Sequence, residues 1–360
     1  MKGGSRFSVL GSRFSIPRAR EMTRIRTGRT AWGTENREPR TESHPIWHSF
    51  RSAEHVASIR FKSVIVLGIF TILLLFWTVR VSAARSAGDV DCRLGPDAPA
   101  VHWDTRDDAG HLVRFPPRIN VPAQHRPLVI VTYNIAGHDE LFRPNHIAQI
   151  AAAINQMKPD VVGLQEVHRR TWESRYRDQL EELEHDTGMH GFFGRSRHVG
   201  KGEFGNAILT RGEIVSAVVH PLPGRGEPRT LIESVVRLDG ATINVYVTHL
   251  ATWARLNASI RRKQIDCVAK HLQTSNYPFV LTGDFNAAPD TPEVRAFDRE
   301  SAAQLCGRVI PNTNPFLHQR IDYVWADYGW EVVRTQVPRI GPSDHWPVVS
   351  ELQWARAAAK

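Results

Sequence analysis

Residues 127–134 read PLVIVTYN, a run of β-branched and aromatic residues that opens on a proline and closes on an amide. Such residues favour the pleated backbone of a strand, and Pro127 bounds its start. Beyond it, NHIAQIAAAINQMKPD (145–160) sets Ile147, Ile150, Ala151, Ile154 and Met157 on one face of a helix. DVVGLQEV (160–167) then reads as a second buried strand. The same grammar continues towards the C-terminus. After an irregular region come GNAILTR (205–211) and ESVVRL (233–238), and TINVYVTHL (242–250) alternates cleanly through Ile243, Val245 and Val247. SIRRKQIDCVAKHLQ (259–273) is helical, with Ile265, Val268, Ala269 and Leu272 facing inward. FVLTGDFN (279–286), QRIDYVWA (319–326) and HWPVVSELQW (345–354) give three more strands. This mixture predicts an α/β or α+β domain over residues 127–354.

The polar residues fall at consistent places. Asn134 ends its strand, as do Gln165-Glu166, His249, and Asp284 with Asn286; Asp344-His345, in GPSDHWPVVS (341–350), stand at the threshold of the last. One polar strand end is an ordinary surface residue. Several ends carrying only Asn, Glu, His and Asp point to a shared crevice at one edge of the sheet, where α/β proteins bind ligands.

Such a set suits phosphate ester hydrolysis. The scissile phosphorus is shielded by negative oxygens, so a hard cation is needed, and Glu166 is the kind of oxygen ligand that Mg²⁺ prefers. Asp284 or Asp344 could take a proton from water. Imidazolium groups (His249, His345) and amides (Asn134, Asn286) suit the charge that builds on the phosphate oxygens. No cluster of three His for zinc, no GxSxG elbow and no Walker loop occurs in the chain.

In order, TYNIAG, LQEV, GNAILTR, VTHL, GDFN, RIDYVW and SDHWPV resemble the motifs of the endonuclease/exonuclease/phosphatase superfamily over residues 127–353. GDFN alone would be weak; seven motifs in the family's order are not. The resemblance implies a four-layer α/β sandwich, two mixed sheets face to face with helices outside, and a divalent cation, normally Mg²⁺, with Mn²⁺ as an alternative. It implies that Glu166 holds the metal with Asn134 beside it, and that Asp284 activates water with Asn286 helping to orient it. His249 and His345 would contact phosphate oxygens, and Asp322 would orient His345. Asp344 would either pair with a histidine or join the metal site. Asn206 is read equally as a phosphate contact or a turn amide. Arg229 is read as an ordinary surface residue before a phosphate ligand. Gln264 is expected to support the His249 loop, and Trp253 either to shape the substrate mouth or to pack.

The net charge is +9 at pH 7. Residues 1–62 hold 13 Lys and Arg against 5 Glu, residues 63–119 hold 6 of each sign, and residues 120–360 hold 27 basic and 26 acidic residues. The basicity therefore belongs to the N-terminal arm (1–62), expected to be largely disordered, and does not by itself demand a nucleic-acid partner. SVIVLGIFTILLLFWTV (63–79) carries no charge and is flanked by Arg60, Lys62 and Arg80. It reads as a transmembrane signal anchor over 63–80, with a cleaved signal peptide as the rival. The excess of Arg before it predicts a cytoplasmic N-terminus and a catalytic domain on the exported side, as at the periplasmic face of a bacterial inner membrane. Residues 81–126 are a lead-in, part linker and part hairpin. Of three cysteines, one pair could form a disulfide in an oxidising compartment, and Cys267 is expected to be packed.

The expected activity is that of a membrane-anchored, metal-dependent phosphoesterase acting on a lipid or inositol headgroup. An exported DNase I-like nuclease is the alternative, and a catalytically inactive binding protein on the same fold a second. A protein partner is not predictable from the sequence.

Overall fold

The computed structural model describes residues 92, 105–106, 112–113, 126–252 and 257–355. The expected arm 1–62, the expected membrane segment 63–80 and Trp253 lie outside the described residues, as does most of the lead-in. Among the described residues, no helix is long and apolar enough to cross a membrane. Within the lead-in, Thr105–Arg106 pairs antiparallel with Leu112–Val113.

The elements of the main domain follow in chain order. They are β1 (Leu128–Asn134), α1 (His146–Met157), β2 (Val161–Arg169), α2 (Gln179–Thr187), β3 (His190–Val199) and β4 (Gly202–Thr210). After them come β5 (Glu213–Leu222), β6 (Arg229–Leu238), β7 (Ala241–His249), α3 (Ala258–Gln273) and β8 (Phe279–Asp284). The last are α4 (Pro292–Glu300), β9 (Gln304–Leu305), β10 (Asp322–Ala326), β11 (Trp330–Gln336) and β12 (Val348–Trp354). They form two six-stranded sheets, ordered β11-β12-β1-β2-β4-β3 and β9-β10-β8-β7-β6-β5.

Strand parity explains the layers. In β1, Leu128 and Ile130 join residues of both sheets, among them Val245, Val247, Val280 and Val324, in one core. The intervening Val131 and Tyr133 pack instead with Ile147, Ile150 and Ile154 of α1. On the far side, Tyr246, Leu281, Tyr323 and Trp325 meet Ile265, Val268 and Leu272 of α3. Phe285, Phe297 and Trp325 are fully buried there, with Phe297 and Trp325 edge-on at 4.9 Å. An aromatic pair of that kind adds about 1 kcal/mol beyond the area it buries. The architecture is the expected four-layer sandwich.

The region read as irregular between 168 and 204 contains α2 and β3. Asp178 caps α2 by accepting from the Glu181 amide, and Gly188 ends the helix in the left-handed conformation. The β3 segment HGFFGRSRHV is an edge strand, so it lacks the apolar run that marks a buried one. Strands β5 and β11 are also edges.

Candidate active site

Both sheets send polar residues to one end. In β1, β7, β8 and β10 the residues facing the partner sheet include Ile130, Val247, Val280 and Val324. Continuing that alternation to the strand ends gives Asn134, His249, Asp284 and Asp322. The parallel pairing of β7 with β8 sets His249 opposite Asp284, and the antiparallel pairing of β8 with β10 sets Asp322 on its other side. Four polar side chains thus sit where the inter-sheet core stops.

Glu166 arrives there by a bulge. Simple alternation would turn it to the helix side with Leu164, but the register of β2 against β4 shifts between Leu164 and Val167. Val167 takes the helix side, and Glu166 adopts φ 61°, costly for a residue with a Cβ. Gly137 packs against this bulge: a Cβ there would lie 2.4 Å from the Glu166 carbonyl oxygen and 2.4 Å from Gln179 Oε1. Gln179 in turn donates to the Gly137 carbonyl and accepts from the His168 amide.

One amide joins the two halves of the site. Asn134 Nδ2 donates to Glu166 Oε1 and to Asp284 Oδ2, both at 3.1 Å, while its Oδ1 accepts from the Ala136 amide. Asn134 thus holds two carboxylates in place through its nitrogen, and its oxygen, which accepts one backbone hydrogen bond, retains a second lone pair that a cation beside Glu166 could use. Asp284 Oδ1 accepts from the Asn286 amide at 2.8 Å. Asn286 Nδ2 gives one hydrogen to the Leu250 carbonyl and lies 3.0 Å from His249 Nε2. His249 Nε2 is then the acceptor, and the ring proton belongs on Nδ1, which is buried and has no hydrogen-bond partner among the described residues. His345 Nδ1 lies 2.9 Å from Asp322 Oδ2, and its Nε2 is 3.9 Å from Asp284 Oδ2. Ser343 Oγ fixes that loop by donating to the Asn134 carbonyl at 2.7 Å and accepting from the His345 amide.

The charges follow from these contacts. Burial and the Asp322 charge push the Asp284 carboxyl up to about 7, against His345 and the two Asn donors. Burial opposes the charge on His345, but Asp322, with Asp284 and Asp344, raises it to about 10. Burial and the Arg229 charge hold His249 well below the ordinary histidine range. Burial alone would raise Glu166, yet His138, with His249 and Asn134, keeps it far below the usual carboxylate range. Asp344 is raised by burial and by the nearby Glu166 charge, against His345.

Two places within this site could take a cation. Asp284, Asp322 and His345 offer atoms within 4.8 Å of one another. There the His345 imidazolium already stands between two carboxylates, so a second cation would be repelled by the first. Glu166 fits better. It is ionised, and its side chain keeps 24% exposure at the mouth of the site. Among the described residues, its oxygens receive only Asn134 and, at 3.4 Å, His138 Nδ1. Asp344 is close enough to add a second carboxylate charge.

Among the peripheral residues, Arg229 corrects the surface reading: it is 4% exposed, its Nε has no partner among the described residues, and its Nη2 lies 3.0 Å from Glu227 Oε1. Asn206 is not a turn amide; it sits within β4 opposite the Glu166 bulge and donates to the Thr230 carbonyl at 3.3 Å. Gln264 does support the His249 loop, accepting from the Ala251 amide at 2.8 Å. His138 escaped sequence reading. Its only signal is its place directly after TYNIAG, and what matters is its approach to Glu166 through space.

Residues 131–345 match the profile of the Endonuclease/Exonuclease/phosphatase family. Protein cwh43 of Schizosaccharomyces pombe is 31% identical over 137 residues, which is 38% of this chain and only 14% of that protein. Among solved structures, the endonuclease/exonuclease/phosphatase from Beutenbergia cavernae is 27% identical with a TM-score of 0.55, covering 64% of this chain and 72% of that one. A mannosyl-6-phosphatase from Bacteroides thetaiotaomicron is similar in fold at 20% identity and TM-score 0.54, covering 63% and 100%. So is the human Nocturnin catalytic domain with bound sulfate, at 21% and 0.53, covering 64% and 95%.

Proposed function

The chain belongs to the endonuclease/exonuclease/phosphatase family, whose members are phosphoesterases, and on that premise we propose that it is a divalent-cation-dependent hydrolase of a phosphoester headgroup, of lipid or inositol type, presented at a membrane surface. The observation that carries the hydrolase reading is the single Asn134 amide that ties the open Glu166 carboxylate to the buried Asp284.

Mg²⁺ or Mn²⁺, held by Glu166 with Asp344 near it, would neutralise phosphate charge. Asp284, whose affinity for a proton is raised, accepts one from the attacking water. Asn134 and the Asn286 amide fix the orientation of that carboxylate. His345, kept cationic by Asp322, stabilises the charge that develops on the phosphoryl oxygens. Neutral His249, set by Asn286 beside Asp284, would contact the same group. Arg229, close enough for its charge to act on His249, would bind the substrate's phosphate, with Asn206 beside it opposite the Glu166 bulge as a second candidate contact.

The headgroup reading draws support from the loops around this edge. Phe142 (77% exposed), Tyr176 (75%) and Phe316 (77%) are large apolar side chains left in solvent, on loops that follow β1 and β2 or precede β10. Arg143, Arg170 and Arg175 accompany them. Aromatic and cationic groups together suit the interface of a bilayer with anionic lipids. The Cys92–Cys267 disulfide supports an oxidising, exported location, and the apolar segment 63–80 would tether the domain there.

The test uses the full chain, wild type and His345→Ala, with Mg²⁺ or with chelator. Phospholipid and sphingomyelin vesicles, inositol phosphates and plasmid DNA are offered in parallel. Metal-dependent release of a phosphorylated headgroup or phosphate, lost in the variant, is expected. Nicking of DNA with no attack on the lipid or inositol substrates would replace the headgroup reading with a nuclease. Silence on every substrate together with absent metal binding would overturn the hydrolase.

A further inference from the structure

On the opposite face of the second sheet, His220 (β5), Glu233 (β6) and His271 (α3) meet under the helix layer. His220 Nε2 lies 2.8 Å and His271 Nδ1 3.6 Å from the same oxygen, Glu233 Oε2. The two rings are 4.1 Å apart. Tyr246 O–H donates to the other oxygen, Glu233 Oε1, at 3.2 Å, fixing the carboxylate from behind. This is not the hydrolytic site. Glu233 pairs in register with Tyr246, which packs into the core beneath α3, whereas Val247 and His249 of the same strand take the inter-sheet side.

We propose that His220, Glu233 and His271 form a second metal site, for a divalent transition ion of the Zn²⁺ class. One carboxylate can balance one imidazolium; two protonated rings 4.1 Å apart would repel. A divalent ion instead uses both imidazoles in their neutral form together with the carboxylate, the three-ligand set that Zn²⁺ accepts with a water in fourth place. Their ligand atoms already lie within 4.8 Å of one another. His271 is buried, while the His220 and Glu233 side chains keep 20% and 26% exposure, which leaves a way in from solvent. The Tyr246 hydroxyl supplies the outer hydrogen bond that steadies a metal-bound carboxylate. The Cys92–Cys267 disulfide reaches α3 one turn before His271 and pins the helix that carries it. Its sulfurs, being bonded to each other, are not ligands.

The site is independent of the phosphoester reading, and so is its test. Zn²⁺ binding to the untagged full chain is measured by calorimetry in a Glu166→Ala background, which removes the hydrolytic cation site. It is compared with the double variants carrying His220→Gln or Glu233→Gln, both partly exposed positions. Thermal unfolding of all three proteins checks that each is folded. The single variant should bind one Zn²⁺ more tightly than either double variant by about 10-fold or more, and Zn²⁺ should raise its melting temperature alone. Equal Zn²⁺ affinity and equal thermal shifts in all folded variants would overturn the proposal.

Discussion

His345 Nδ1 lies 2.9 Å from Asp322 Oδ2, and both residues are buried. The pair comes from different elements, a loop before β12 and the first residue of β10, and the contact gives the histidine its charge. Among the described residues, the other oxygen of Asp322, Oδ1, has no hydrogen-bond partner. Its negative charge therefore acts on whatever stands beside it, which is His345 on one side and Asp284 on the other.

For the proposed hydrolysis, that arrangement predicts a bell-shaped pH profile. Asp284 must lose its proton to act as a base, which gives a rising limb at or below about pH 7, and a bound cation moves that limb further down. His345 must keep its proton, which gives a falling limb near pH 10. The Asp322 charge raises both groups, so Asp322→Asn should shift the whole bell to lower pH. Measured kcat/KM against pH checks this; unmoved limbs would remove Asp322 from its assigned place.

Glu166 is expected to be the principal cation ligand. Glu166→Gln should abolish Mg²⁺ binding seen by calorimetry and lower kcat about 100-fold or more, the loss of several kcal/mol of charge stabilisation. Chelator should do the same to the wild type, and added Mg²⁺ should reverse it. A variant that still binds Mg²⁺ as tightly would move the cation to another donor set.

Gly137 has no room for a Cβ beside the Glu166 carbonyl oxygen. Gly137→Ala should push the bulge outward and swing Glu166 away from Asn134. The expected result is weaker Mg²⁺ affinity together with a lowered melting temperature, since forcing buried backbone apart costs about 1–3 kcal/mol, read by titration and by thermal unfolding.

The Cys92–Cys267 disulfide closes a loop with a sequence separation of 175. Its loss, in Cys92→Ser with Cys267→Ser, should cost about 2–5 kcal/mol of stability. Denaturant unfolding of the wild type with and without reductant gives the same comparison. The third cysteine, Cys306, is buried and unpaired, and burial raises its thiol to about 12, so it should react with thiol reagents only after unfolding.

Much of the fold was legible because buried strands betray themselves. LVIVTYN, VVGLQEV and FVLTGD are apolar on both sides of the pleat, since each has the other sheet on one face and a helix on the other. The edge strands β3, β5 and β11 carry polar residues on their exposed sides and escaped or blurred. Site residues were legible where a polar group interrupts an apolar strand at its end, as at Asn134, His249 and Asp284. His138 and the burial of Arg229 were not, because each depends on contacts between segments far apart in the chain.

The sequence by itself determined the family, the set of strands and the carboxylates, imidazoles and amides at their ends, because alternation and motif order are written along the chain. Only the tertiary structure decided what those groups do to one another. The bulge that turns Glu166, the Asn134 amide shared between two carboxylates and the charge Asp322 confers on His345 all depend on distances of about 3 Å across separate strands. Hydrogen bonds and desolvation act over such distances through space, and no local pattern of residues records them.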